Sequence, residues 1–226
     1  MATSGTTTFA PEFVEIAEEA WERAGREMRS GYDLRTARRS MNFLMIEWQN
    51  RGTNMWTIDE GTVSLVAGTA TYTLPADTVD LMEHVLRTDA GDASKQNDTR
   101  LARVNVTTYA NIPNKLLSGR PNQIFIERLR DAPELTVWPV PDQTYTLVYW
   151  RMRRIEDAGN GAETADMTYR FLPALVAGLA YYIAMKDPEL APRLEMLKMA
   201  YEEAYKMAAS EDREKAPLRL VPAGRR

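Results

Sequence analysis

Carboxylates are the only catalytic side chains this sequence supplies in quantity, with 32 Asp and Glu against one histidine and no cysteine. Three pairs lie close in sequence: Glu18/Glu22, Glu202/Glu203 and Asp157/Glu163. A glycosidase needs two carboxylates at a fixed separation across a cleft, one of them raised in pKa by burial. All three pairs sit in charged stretches, which predicts solvated surface instead of a cleft. His84, the lone histidine, falls among Leu81, Val85 and Leu86 in a predicted strand. It has the chemistry of a general base, but a single strand histidine reads more simply as a hydrogen-bonded structural residue. Paired-histidine metal sites, zinc–cysteine sites, thiolate nucleophiles and disulfides are excluded within one chain. No phosphate-cradling glycine loop or dinucleotide fingerprint appears, and no cofactor is expected.

Arginine supplies the second chemistry. Arg35, Arg38 and Arg39 fall within one helical turn, with Arg51 further on, and Arg151, Arg153 and Arg154 end a strand. Such clusters suit phosphate contacts or ion pairs with Glu47 and the acidic stretch before them. The formal net charge of −4 excludes the chain as a whole from electrostatic nucleic-acid binding.

These residues need elements to position them. Phe13, Ile16, Ala17, Ala20, Trp21 and Ala24 recur at helical spacing after Pro11. Glu12, Glu15, Glu18, Glu19 and Glu22 load that helix toward its N-terminus, which suits the helix dipole. Gly25 is its natural stop, with Arg26–Arg29 a possible extension. Ser30-Gly31-Tyr32 reads as a turn and Asp33 as the N-cap of a second helix, with Leu34, Ala37, Met41, Leu44, Met45 and Trp48 inward and Gly52 as its left-handed stop. The two helices are expected to pair as an antiparallel hairpin.

From Met55 the period changes to that of strands, predicted at 63–67, 70–74, 79–87, 123–128, 134–139 and 145–153. Gly68-Thr69 reads as a hairpin turn, 91–99 as a polar loop and 108–117 as a site for one short helix. After a linker at 158–165, the apolar run 169–185 is too short to span a membrane and reads as a buried helix. Asp187-Pro188 caps a last helix carrying Leu190, Leu194, Leu197, Tyr201 and Tyr205 on one face. No run of about 18 apolar residues exists for a membrane span, and residues 1–10 lack the pattern of a signal peptide.

The expected fold class is α+β: a helical bundle of about four helices, a central antiparallel β-sheet or small sandwich, and an extended C-terminal arm. The expected divisions are an N-terminal helical hairpin over 1–54, a β-rich region over 55–157, a C-terminal helical hairpin over 158–210 packing on the first, and the arm over 211–226. The arm carries Arg213, Lys215, Pro217, Leu218, Arg219 and Leu220 and cannot bury a core of its own.

Several stretches together resemble the head-to-tail adaptor proteins of short-tailed bacteriophages, also called connector, tail tubular or packaged-DNA-stabilising proteins. They are Ile16-Ala17-Glu18-Glu19-Ala20-Trp21-Glu22-Arg23-Ala24-Gly25, Gly31-Tyr32-Asp33-Leu34-Arg35-Thr36-Ala37-Arg38-Arg39-Ser40 leading into Glu47-Trp48-Gln49-Asn50-Arg51-Gly52 and Met55-Trp56-Thr57, Tyr72-Thr73-Leu74-Pro75 with Val79-Asp80, Gly119-Arg120-Pro121, and Leu135-Thr136-Val137-Trp138-Pro139-Val140-Pro141. The resemblance implies a structural virion protein without a catalytic residue, made in the bacterial host cytoplasm. It implies a ring of twelve copies under the portal that extends the DNA channel and carries the tail nozzle and fibres or spikes. The genomic DNA would pass through the lumen without specific binding. It also implies that the C-terminal arm grips the portal, here through Arg213, Lys215, Pro217, Leu218, Arg219 and Leu220. A ring needs two complementary faces, and the candidates are Glu15, Glu18 and Glu22 against Arg35, Arg38 and Arg39. Two other functions stay open at this point: a peptidoglycan-degrading activity using a carboxylate pair, and sequence-independent DNA binding by Arg35, Arg38 and Arg39.

Overall fold

The computed structural model describes residues 5–52 and 55–212. Its contacts divide the chain into two compact units, one from Met1–Trp56 with Ile155–Arg226 and the other from Thr57–Arg154. The architecture is α+β.

The first unit is helical. Helix α1 spans Phe13–Ala24 and α2 spans Gly31–Arg51; α4 spans Leu172–Ala184 and α5 spans Leu194–Glu211, while the short α3 (Val106–Ala110) belongs to the second unit. Helix α4 is apolar on every side, so it can only be buried. Leu175, Leu179 and Ile183 are at most 1% exposed. Helices α1, α2 and α5 pack around it, and α1 lies against α4 far more than against α2. The expected α1–α2 hairpin is therefore two helices laid on a third, because α4 offers the larger apolar surface.

The helix ends follow local chemistry. Gly25 stops α1 without extension through Arg29. The second helix starts earlier than expected: Ser30 is its N-cap, accepting from the Asp33 N–H, and the Asp33 carboxylate accepts from the Ser30 N–H at 3.0 Å. Asp33 thus closes a capping box from the third helical position instead of being the cap itself. Gly52 ends the helix with φ 77°, as its type predicts. Asp187 caps a 3-10 turn over Pro188–Arg193, and the α-helix begins only at Leu194. Pro192 has no N–H to give to an α-helical turn there. The stretch expected as a linker holds two helices: Glu163 O and Gly161 O accept from the N–H groups of Phe13 and Val14, and the Ala158 N–H donates to Asn42. The first two of these bonds satisfy orphan donors at the start of α1, and the third ties the stretch to α2.

The second unit is built from two four-stranded sheets. Strands β1 (Ile58–Leu65), β10 (Tyr145–Arg153), β3 (Thr78–Thr88) and β4 (Asn97–Arg100) form an antiparallel sheet in that order. Strands β2 (Thr71–Thr73), β8 (Glu134–Trp138), β7 (Gln123–Glu127) and β5 (Ala102–Val104) form the other. Leu65, Leu81, Leu86 and Leu147 from the first sheet meet Ile124, Leu135 and Val137 from the second in one core. The β5–β7 pairing is parallel, and so is a short pairing of β6 (Ser118–Gly119) with β9 (Val140–Pro141), which departs from the purely antiparallel expectation. The turn at Gly68 does not close a hairpin: β1 pairs with β10 and β2 with β8, so the chain changes sheets there. The loop expected at 91–99 contributes β4, an all-polar edge strand that carries no apolar alternation to read. Helix α3 spans only Val106–Ala110, opened by Asn105, whose side chain accepts from Thr108 N–H at 2.8 Å.

Candidate assembly surfaces

Exposure along α2 separates two faces. Thr36, Ala37, Ser40, Met41, Leu44, Met45 and Trp48 are buried. Tyr32, Arg35, Arg39, Phe43 and Ile46, recurring at three- and four-residue steps, form an exposed stripe on the other side. Tyr32 and Phe43 are each 63% exposed. Neither Arg35 nor Arg39 has a carboxylate partner among the described residues; Arg39 makes one bond, to Thr36 Oγ1 at 3.4 Å. Arg38 leaves this stripe. It is half-buried and turns to Gly159 O and Asn160 Oδ1 at 3.5 and 3.4 Å. The arginine cluster read from sequence is thus a pair within an aromatic stripe, and the apolar members are the signal that composition hid.

Helix α1 presents the opposite charge. Glu15, Glu18, Glu19 and Glu22 are exposed along one side. Glu15 also accepts from Glu12 N–H at 3.0 Å, closing its own helix, and Glu19 pairs with Arg23. Glu18 and Glu22 therefore make the least encumbered acidic pair. Arg213, Lys215, Pro217, Leu218, Arg219 and Leu220 lie outside the described residues.

The same unit is locked by a polar network. Arg51 makes a bidentate pair with Glu202 at 2.7 and 2.9 Å and stands 4.5 Å over the Tyr205 ring. Its guanidinium also meets Glu47, which accepts from the hydroxyls of Tyr182 and Tyr201. Burial, with Glu47 beside it, pushes the Tyr182 hydroxyl up to about 12. Burial likewise raises the Tyr201 hydroxyl.

The candidate catalytic groups do not assemble. Glu18, Glu22, Asp157, Glu163 and Glu203 are exposed. Backbone N–H groups of residues 160–163 hold Glu163 below the usual carboxylate range, and Arg51 does the same to Glu202. Both move opposite to what a general acid needs. His84 is 4% exposed, packed inside the second unit with the Leu101 backbone beside its ring. Burial lowers its pKa. Among the described residues no group of three or more His, Cys, Asp or Glu could hold a metal ion. Arg151 pairs with Asp77, and Arg153 with Asp59, within the second unit.

A family model described as SU10 adaptor protein matches residues 13–221. The chain belongs to this family. Membership agrees with the resemblance to phage head-to-tail adaptors and gives the protein a structural role in a virion, in association with portal and tail components. No curated protein matches the adaptor. No helix of this adaptor, among the described residues, is long and apolar enough to cross a membrane.

Proposed function

We propose that this adaptor closes a ring of twelve copies that docks under the portal, extends the DNA channel and carries the nozzle and fibre or spike proteins. Each heterologous contact sets Glu18 and Glu22 of one copy against Arg35 and Arg39 of the next, with Tyr32, Phe43 and Ile46 supplying apolar area. The carrying observation is the exposed α2 stripe, which couples two arginines that have no carboxylate partner among the described residues to three large apolar residues. Such a stripe combines the aromatic and arginine chemistry enriched at protein interfaces. A rotation that closes makes the same contact at every joint of a ring.

The arm residues Arg213, Lys215, Pro217, Leu218, Arg219 and Leu220 are proposed to order against the portal, gaining ion pairs and apolar burial together. The net charge of −4 favours DNA sliding through the lumen over retention. The test is light-scattering mass of the purified chain across concentration, wild type against Arg35→Glu with Arg39→Glu. The wild type is expected to assemble and the variant to stay monomeric.

A further inference from the structure

The helical unit carries an open groove of about 550 Å³ between residues 7–11, α1 and the start of α4. Ile16 and Val176, 1% and 9% exposed, form its floor, and half-buried Leu172 adds apolar wall. Phe9 and Tyr169, also lining it, are 78% and 74% exposed, and Glu15 and Glu19 add negative charge that Arg23, paired with Glu19, offsets in part.

The described chain ends beside this groove. Asp212, with its side chain 2% exposed, pairs with Arg170 at 3.3 Å. The Arg170 guanidinium lies 6.0 Å from the ring of its neighbour Tyr169. The chain therefore leaves α5 next to a residue of the groove wall. From there, residues 213–218 reach up to roughly 20 Å when extended.

The sequence that follows matches the groove in shape and charge. In an extended backbone alternate side chains share a side, so Leu218 and Leu220 face one way and Arg219 the other. Pro217 and Pro222 hold the residue before each of them away from helix. Arg213, Lys215 and Arg219 are opposite in sign to Glu15, whose carboxylate has no cationic partner among the described residues.

We propose that, in the unassembled adaptor, residues 217–222 lie in this groove of their own chain, with Leu218 and Leu220 against Phe9 and Leu172. The occupant is the chain's own segment, and the inference holds whether or not that segment later engages a portal. Docking covers apolar surface that would otherwise promote association of free subunits through the arm.

The chain has no cysteine, so an engineered pair reports proximity without interference. Tyr169→Cys with Leu220→Cys places one thiol at the groove and one on the segment. Met207→Cys with Leu220→Cys is the control, because Met207 is 65% exposed and closer in sequence to Leu220. Both target positions are held on the folded helices and share the one tether from residue 213, so a freely moving segment pairs with the control at a comparable rate. In dilute protein under a glutathione redox buffer, the groove pair is expected to close within one chain about tenfold faster than the control. Adding Leu218→Ser is expected to slow it about threefold. Equal rates, a faster control, or a disulfide formed only between chains would overturn the proposal. If Tyr169→Cys unfolds the chain by circular dichroism, Glu19→Cys replaces it in the same comparison and the same outcomes decide.

Discussion

The indole N–H of Trp48 on α2 donates to the Tyr201 hydroxyl on α5 at 2.8 Å, and both residues are at most 1% exposed. The Tyr201 hydroxyl in turn donates to Glu47 at 3.1 Å, so one phenol joins a buried donor to a half-buried charge. Removing it orphans the indole N–H. Tyr201→Phe is expected to cost about 1–3 kcal/mol of stability, the penalty for a buried unsatisfied polar group. Denaturant unfolding of Tyr201→Phe, Trp48→Phe and the double variant measures it, with the double variant losing less than the sum of the singles.

Gly178 lets α4 approach its neighbours. A Cβ there would stand 2.8 Å from Leu44 Cδ2 and 2.9 Å from Tyr201 Cε2. Alanine is the better helix former by about 1 kcal/mol, yet Gly178→Ala is expected to destabilise by about 1–3 kcal/mol because overpacking wins. A lowered melting temperature with unchanged helix content checks the sign.

His84 is expected to make the second unit acid-sensitive. Burial depresses its folded pKa below the ordinary 6.5. The unfolded chain therefore takes up the proton first, so the stabilising contribution is present above about 6.5 and is lost as pH falls below it. Melting between pH 8 and pH 5 is expected to fall more steeply for the wild type than for His84→Leu, since carboxylate effects are common to both.

The proposed subunit contact is electrostatic at its rim. Exposed ion pairs contribute about 0.2–1 kcal/mol each, but every joint of a closed ring repeats them. Arg35→Glu with Arg39→Glu is expected to abolish assembly, and Glu18→Arg with Glu22→Arg to restore it in the combined variant. Sedimentation velocity reads both, and assembly of the wild type should weaken with salt.

The helices of the bundle were legible because their apolar residues keep a helical period: α1 and α2 each show their buried stripe in sequence, and α4 announces burial by being apolar throughout. Strand pairing was not legible. Gly68 looks like any hairpin glycine, and only the burial of Leu65 in one sheet and the pairing of Tyr72 in the other separate the strands around it. Strand β4 escaped because Asn97, Asp98, Thr99 and Arg100 bury nothing, as suits an edge protected by charge. The candidate interface was legible by half. Arg35 and Arg39 stood out by charge, but Tyr32, Phe43 and Ile46 look like core residues until the helix phase is fixed by Trp48 and Met41. The same phase turns Arg38 away.

Mass measurement of the purified adaptor mixed with portal rings of its own phage tests the ring account most directly. The account predicts one complex whose mass equals the portal ring plus twelve adaptor chains, lost when residues 213–226 are removed. A strictly monomeric adaptor that leaves the portal mass unchanged would contradict it.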